Sequence, residues 1–141
     1  MVSIPATLCF TGVLLFLFGL LAGFGVPAFS NPRLGLSAHL TGVQSGTALL
    51  AIGLLWPHLQ FAHGWSAATG YGLWISLYVL FAGMTLGAVW ATGRTLPIAG
   101  GGTPAKPWRE RAVQILLAVG AFGTAAAILA ILIQWRWTGA Y

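Results

Sequence analysis

Acidic side chains are all but missing from this chain: Glu110 is the sole carboxylate among 141 residues. That absence excludes paired-carboxylate acid–base chemistry. It also excludes the intramembrane carboxylate on which small proton-coupled transporters rely. Cysteine is as scarce. Cys9 stands alone in an apolar run, so it forms no intramolecular disulfide and reads as a buried thiol. No nucleophilic cysteine with a base and no Ser-His-Asp set can be assembled. Charge of either sign is rare, at 5% of residues against about 25% in an ordinary soluble domain. From Leu34 to Gly93 there is no Asp, Glu, Lys or Arg at all. Seven charges cannot solvate a globule of this size.

What the chain has instead is hydrophobicity, at 58% of residues. Four runs, 6–26, 35–56, 68–92 and 108–135, approach or exceed the roughly 20 residues that cross a bilayer. The expected fold is all-α, an integral membrane four-helix transmembrane bundle forming one domain over residues 1–141, with no soluble appendage. Pro5 suits a helix start, Pro27 and Pro32 break the first connection, Pro57 stops the second run and Pro107 opens the fourth. No basic residue precedes the first run, so it does not read as a signal peptide.

The net charge of +5 comes from basic residues scattered in loops, which orient a membrane protein and do not make a nucleic-acid site. Arg33 lies in the 1–2 connection. Arg94, Lys106, Arg109 and Arg111 lie in or beside the 3–4 connection, and Arg136 alone is on the opposite side. The positive-inside rule then places both connections in the cytoplasm and both termini outside, in the inner membrane of the cell. Trp56, Trp65, Trp135 and Trp137 fall near the outer interface, Trp90 and Trp108 near the inner one. Glu110, between Arg109 and Arg111 at the membrane edge, reads as a solvated ion pair.

Small residues recur at helical spacing. Gly19 and Gly23, Gly42 and Gly46, and Gly83 and Gly87 each form a Gly-x-x-x-Gly pair, and the fourth run offers Gly120 and Gly123. Such stripes let helices approach closely in lipid. Packing within the bundle is their first reading; subunit contacts or room for a flat ligand are the others. On the second run His39, Gly42, Gly46 and Gly53 share one face, beside a polar stripe of Ser37, Thr41, Gln44, Ser45 and Ala48. A histidine above glycines can present its imidazole to a planar group lying on the helix.

His58 follows His39 by 19 positions, about 28 Å along a helix at 1.5 Å per residue, so the two cannot share one metal. His63, in the short 2–3 connection with His58, reads as a solvated interfacial histidine. Zinc spacing is absent. A haem with one histidine and one open position is compatible with the residues. On residues alone, however, His39 reads first as a hydrogen-bonded helix-end histidine and only second as a ligand.

The string Asn31-Pro-Arg-Leu-Gly-Leu-Ser-Ala-His-Leu-Thr-Gly-Val-Gln-Ser-Gly, continuing to Pro57, resembles the hydroxylaminobenzene mutase family. Tyr71-Gly72 and Pro97-Ile-Ala-Gly-Gly-Gly102 extend that resemblance in the same order. The same family is distantly similar to styrene oxide isomerase, a membrane-embedded trimer with ferric haem b. The resemblance implies that His39 is the axial metal ligand and that the chain is a homo-oligomer acting on a small lipophilic aromatic substrate within membrane lipid. Gly42 and Gly46 are then expected beside the cofactor, and Arg33 and Arg94 at its propionates or at lipid headgroups. Ser45 and Ser76 stand where such relatives have asparagine. Ser45, Ser76 and Tyr78, with Gln44 and Thr41, are candidates to orient substrate, or else plain interhelical hydrogen bonds.

The implied chemistry is isomerisation. Ferric iron would act as a Lewis acid on an N–O bond, giving an ortho-aminophenol from an arylhydroxylamine, or on an aryl epoxide, giving an aldehyde. The loop from Thr95 to Pro107 would cover the mouth of the site or serve as a plain linker. A haem-free transporter lined by the Thr41–Ser45 stripe, or an assembly partner of another membrane protein, are the rival classes.

Overall fold

In the computed structural model, residues 3–61, 64–102 and 104–134 are described. The described chain is helical: α1 (Ile4–Phe24), α2 (Pro32–Leu55), α3 (Trp65–Trp90), a single-turn α4 (Pro97–Gly100) and α5 (Pro107–Ile133). Short 3-10 turns at Val26–Ala28 and Trp56–His58 follow α1 and α2. The four long helices are each long and apolar enough to cross a membrane. They match the four expected runs, with ends displaced by two or three residues for local reasons. Gly25 caps α1 ahead of Pro27, and α2 begins early because Asn31 caps it, its side chain accepting from the Arg33 and Leu34 amides. Gly64, at φ +86, opens α3 at Trp65. His63, Trp135, Arg136 and Trp137 lie outside the described residues.

Hydrocarbon offers no hydrogen-bond partner, so hydroxyls on these helices turn back to their own backbone. Thr11, Thr41, Thr47 and Thr85 each donate to the carbonyl four residues earlier, at 2.7 to 2.9 Å. Glycine sets the helix spacing. A Cβ on Gly19 would lie 2.5 Å from the Val43 amide, and one on Gly42 would lie 2.5 Å from Gly19 Cα. Gly19 and Gly42, one from each Gly-x-x-x-Gly pair, therefore face each other in an antiparallel hairpin of α1 and α2, with Gly46 set against Phe16. Gly120 and Gly83 do the same work between α5 and α3, against Leu80 and Leu116.

The core lies among Leu8, Leu15, Leu49, Trp56, Leu73, Leu77, Ala127 and Ile131. The arrangement is open at one side. α3 packs on both members of the α1–α2 hairpin, whereas among the described residues α5 packs on α3 and on no other long helix.

Candidate functional site

His39 lies two turns into α2, at the α1–α2 contact. Its Nδ1 is 2.8 Å from the Gly19 carbonyl oxygen. A carbonyl only accepts, so Nδ1 carries a proton, and in the neutral ring Nε2 is then the nitrogen with the lone pair. The ring rests on Gly23, where a Cβ would fall 2.6 Å from Nδ1 and 3.0 Å from Cε1. Gly19 and Gly23 thus act on His39 as a pair, one lending a carbonyl and the other clearing the space. Their spacing was legible in the sequence as a packing motif; the service to His39 was not, because it runs through backbone atoms.

The imidazole lines an open groove of about 400 Å³ with Leu20, Gly23, Phe24, Val26 and Leu36. Apart from His39 that lining is apolar. A neutral imidazole with its second nitrogen anchored is the form in which histidine ligates a metal, and an apolar groove suits the face of a porphyrin. The residues present therefore fit haem ligation through Nε2, with the ring held in its tautomer by Gly19.

The remaining sequence candidates do not gather there. Gly42 and Gly46 face α1 and are filled by its backbone at Gly19 and Phe16, while Gly23 lies against the His39 ring. Ser45 is buried on α2, one and a half turns beyond His39. Ser76 is buried on α3 with its hydroxyl against Gly123 of α5. Tyr78 donates from its hydroxyl to the Thr11 carbonyl at 2.7 Å, near the other half of α1. Thr41 bonds to Ser37, and Gln44 is exposed midway along α2. Within one subunit, Ser45, Ser76 and Tyr78 serve three different places and line no common pocket with His39.

Arg33 and Arg94 also part company. Arg33 borders a shallow hollow with Asn31 and Gly100, and Arg94 a larger one with Arg111; neither lines the His39 groove. The described residues of the Thr95–Pro107 loop do not line that groove either. The loop is pinned at two points. Asn31 joins three elements, capping α2, donating from its amide to the Ala88 carbonyl and from Nδ2 to Gly100.

Glu110 is the second pin, and it corrects the expectation of a solvated ion pair. It is buried, 7% exposed. Its Oε1 accepts from the Arg94 and Ala105 amides, and its Oε2 from the Thr95 amide and hydroxyl. The carboxylate turns to the Arg94, Thr95 and Ala105 amides and the Thr95 hydroxyl, and not outward to its arginine neighbours. Glu110→Gln sets an NH2 group against donors that need an acceptor, at about 1–3 kcal/mol per orphaned group. The expected result is a lower midpoint of thermal unfolding in detergent and faster proteolysis between Arg94 and Lys106; an unchanged midpoint would contradict this role.

A family profile described as styrene oxide isomerase matches residues 5–136. The chain is 42% identical over 108 residues to hydroxylaminobenzene mutase HabA of Ectopseudomonas oleovorans, covering 76% of this chain and 80% of that protein. It is 47% identical over 93 residues to hydroxylaminobenzene mutase HabB of the same organism, covering 64% of this chain and 56% of HabB. No solved structure matches.

Proposed function

The chain belongs to the styrene oxide isomerase family, and on that premise we propose that it rearranges arylhydroxylamines to ortho-aminophenols with a ferric haem b ligated by His39. It is a membrane isomerase of the mutase type. The observation that carries the cofactor assignment is the Nδ1–H to Gly19 carbonyl bond, which leaves Nε2 a lone-pair donor on a ring lining an apolar groove.

When bound, the haem supplies a Lewis acid, which this chain cannot build from its own side chains. The chain supplies the rest. Gly19 holds the imidazole tautomer, and Gly23 leaves the ring its place against α1. Leu20, Phe24, Val26 and Leu36 would give the cofactor an apolar seat beside His39. The overall change moves a hydroxyl from nitrogen to the ortho carbon and a proton from that carbon to nitrogen. It consumes no electrons, so no reductase is required.

The groove is open on its outer side, and Gln44 exposes a carboxamide midway along an apolar helix. Lipid tails can fill the groove but leave the Gln44 carboxamide without a hydrogen-bond partner. A second copy of the chain can supply one, so we read the protein as a homo-oligomer in the inner membrane, with the basic connections on the cytoplasmic side.

The family profile's own description favours a second reading, isomerisation of an aryl epoxide to an aldehyde. One experiment addresses both. Protein purified in detergent from haem-supplemented cells is expected to show a Soret band and stoichiometric haem b by pyridine haemochrome, and to convert phenylhydroxylamine faster than styrene oxide. A colourless protein would remove the haem reading; faster turnover of the epoxide would exchange the two substrates.

A further inference from the structure

A second hollow lies apart from the His39 groove and shares no lining residue with it. It measures about 570 Å³ and lies between the 94–105 loop and the first turns of α5, lined by Arg94, Thr95, Ala105, Glu110, Arg111 and Gln114, among others. We propose that this hollow is a headgroup site for an anionic phospholipid whose acyl chain runs down α5.

Three observations converge on that occupant. First, Arg94 and Arg111 are exposed, and neither guanidinium has a hydrogen bond or ion pair among the described residues. The one acid in the hollow does not neutralise them. Both oxygens of Glu110 are spent on three amides and a hydroxyl, leaving the two guanidinium forks for an added phosphate.

Second, an apolar track continues from the hollow. Ile115, Val119 and Phe122 follow Arg111 on the same face of α5, at helical spacing, and are 55%, 56% and 77% exposed. Among the described residues α5 packs on no long helix but α3, and none of them covers this stripe. A free phosphate would use the arginines and ignore the stripe; a diacyl phosphate uses both. Third, the depth is right. Trp90 and Trp108 stack edge to face at 5.1 Å, with the Arg109 guanidinium 5.5 and 5.4 Å from their ring centres. An aromatic and cationic cluster of this kind sits at headgroup level.

The full-length protein is reconstituted in nanodiscs of equimolar phosphatidylglycerol and phosphatidylcholine. It is then extracted gently, and the retained lipids are counted by native mass spectrometry. The wild type is expected to enrich phosphatidylglycerol. Arg94→Gln and Arg111→Gln are each expected to lower that enrichment about fivefold, the share of one arginine near an anionic surface. Lys106→Gln removes the same charge outside the hollow and is expected to leave the enrichment in place. An equal loss in Lys106→Gln would overturn the site in favour of a diffuse basic field. Displacement of the lipid by millimolar inorganic phosphate would reduce it to a free-anion site and remove the acyl stripe. No enrichment in the wild type, or a second copy of the chain crosslinked along α5 in its place, would sink the proposal outright.

Discussion

His39→Ala is expected to yield a protein that keeps its helices, loses its haem and turns over at background. The chain has no other group in the groove that can replace a Lewis acid. The several kcal/mol such an acid contributes corresponds to about a thousandfold or more in rate. Haem content by pyridine haemochrome, helicity by circular dichroism and turnover of phenylhydroxylamine are the three readouts. Haem and turnover undiminished in a folded variant would end the assignment of His39. A graded version tests the anchor. Gly23→Ala puts a methyl 2.6 Å from Nδ1, so the ring must leave the Gly19 carbonyl. Losing an outer-shell partner of this kind weakens metal binding by roughly 10–100-fold. Gly23→Ala should therefore bind haem weakly where His39→Ala binds none.

The second large effect is on stability. Gly42→Leu is expected to force α1 and α2 apart, because the added Cβ meets Gly19 Cα at 2.5 Å and Phe81 at 2.8 Å. Overpacking costs about 1–3 kcal/mol where side chains can shift, and more where they cannot. Here the obstacle is backbone, so the upper end applies. Thermal unfolding in detergent should show a clear loss, with weaker haem retention because the Gly19 carbonyl moves with α1. Gly72→Ala is the internal control. Nothing lies within 4 Å of a Cβ there, and replacing a mid-helix glycine gains about 0.5–1 kcal/mol. Equal behaviour of the two variants would mean that close helix approach does not determine stability in this protein.

Sequence and structure agree where hydrophobicity alone decides and part where backbone does. Four spans follow from four apolar runs. Their ends shift because caps such as Asn31 and Gly64 act locally, beneath the resolution of a hydropathy window. His39 stands out in the sequence as a rare polar group in a long uncharged stretch. Its partner, however, is a carbonyl, identical at every position until the helices are placed. The same blindness hid the contact of Gly23 with the His39 ring, and made Glu110 look like a partner of Arg109 and Arg111 when its partners are three amides and the Thr95 hydroxyl. Ser45, Ser76 and Tyr78 share a polar character that composition can see. Helical phase then turns them toward different neighbours.

The hairpin of α1 and α2 has a consequence for how the protein is made. Chains emerge from the ribosome amino terminus first and fold in that order, and the contacts that hold this hairpin are the most local of the fold's long-helix pairings. Gly19, Gly23 and His39 are all present once Leu55 has been synthesised, well before α3 or α5 exists. α5, which among the described residues packs on no long helix but α3, joins last and leaves the α1–α2 hairpin as it was. The imidazole and its carbonyl anchor are therefore among the first tertiary features the growing chain can assemble.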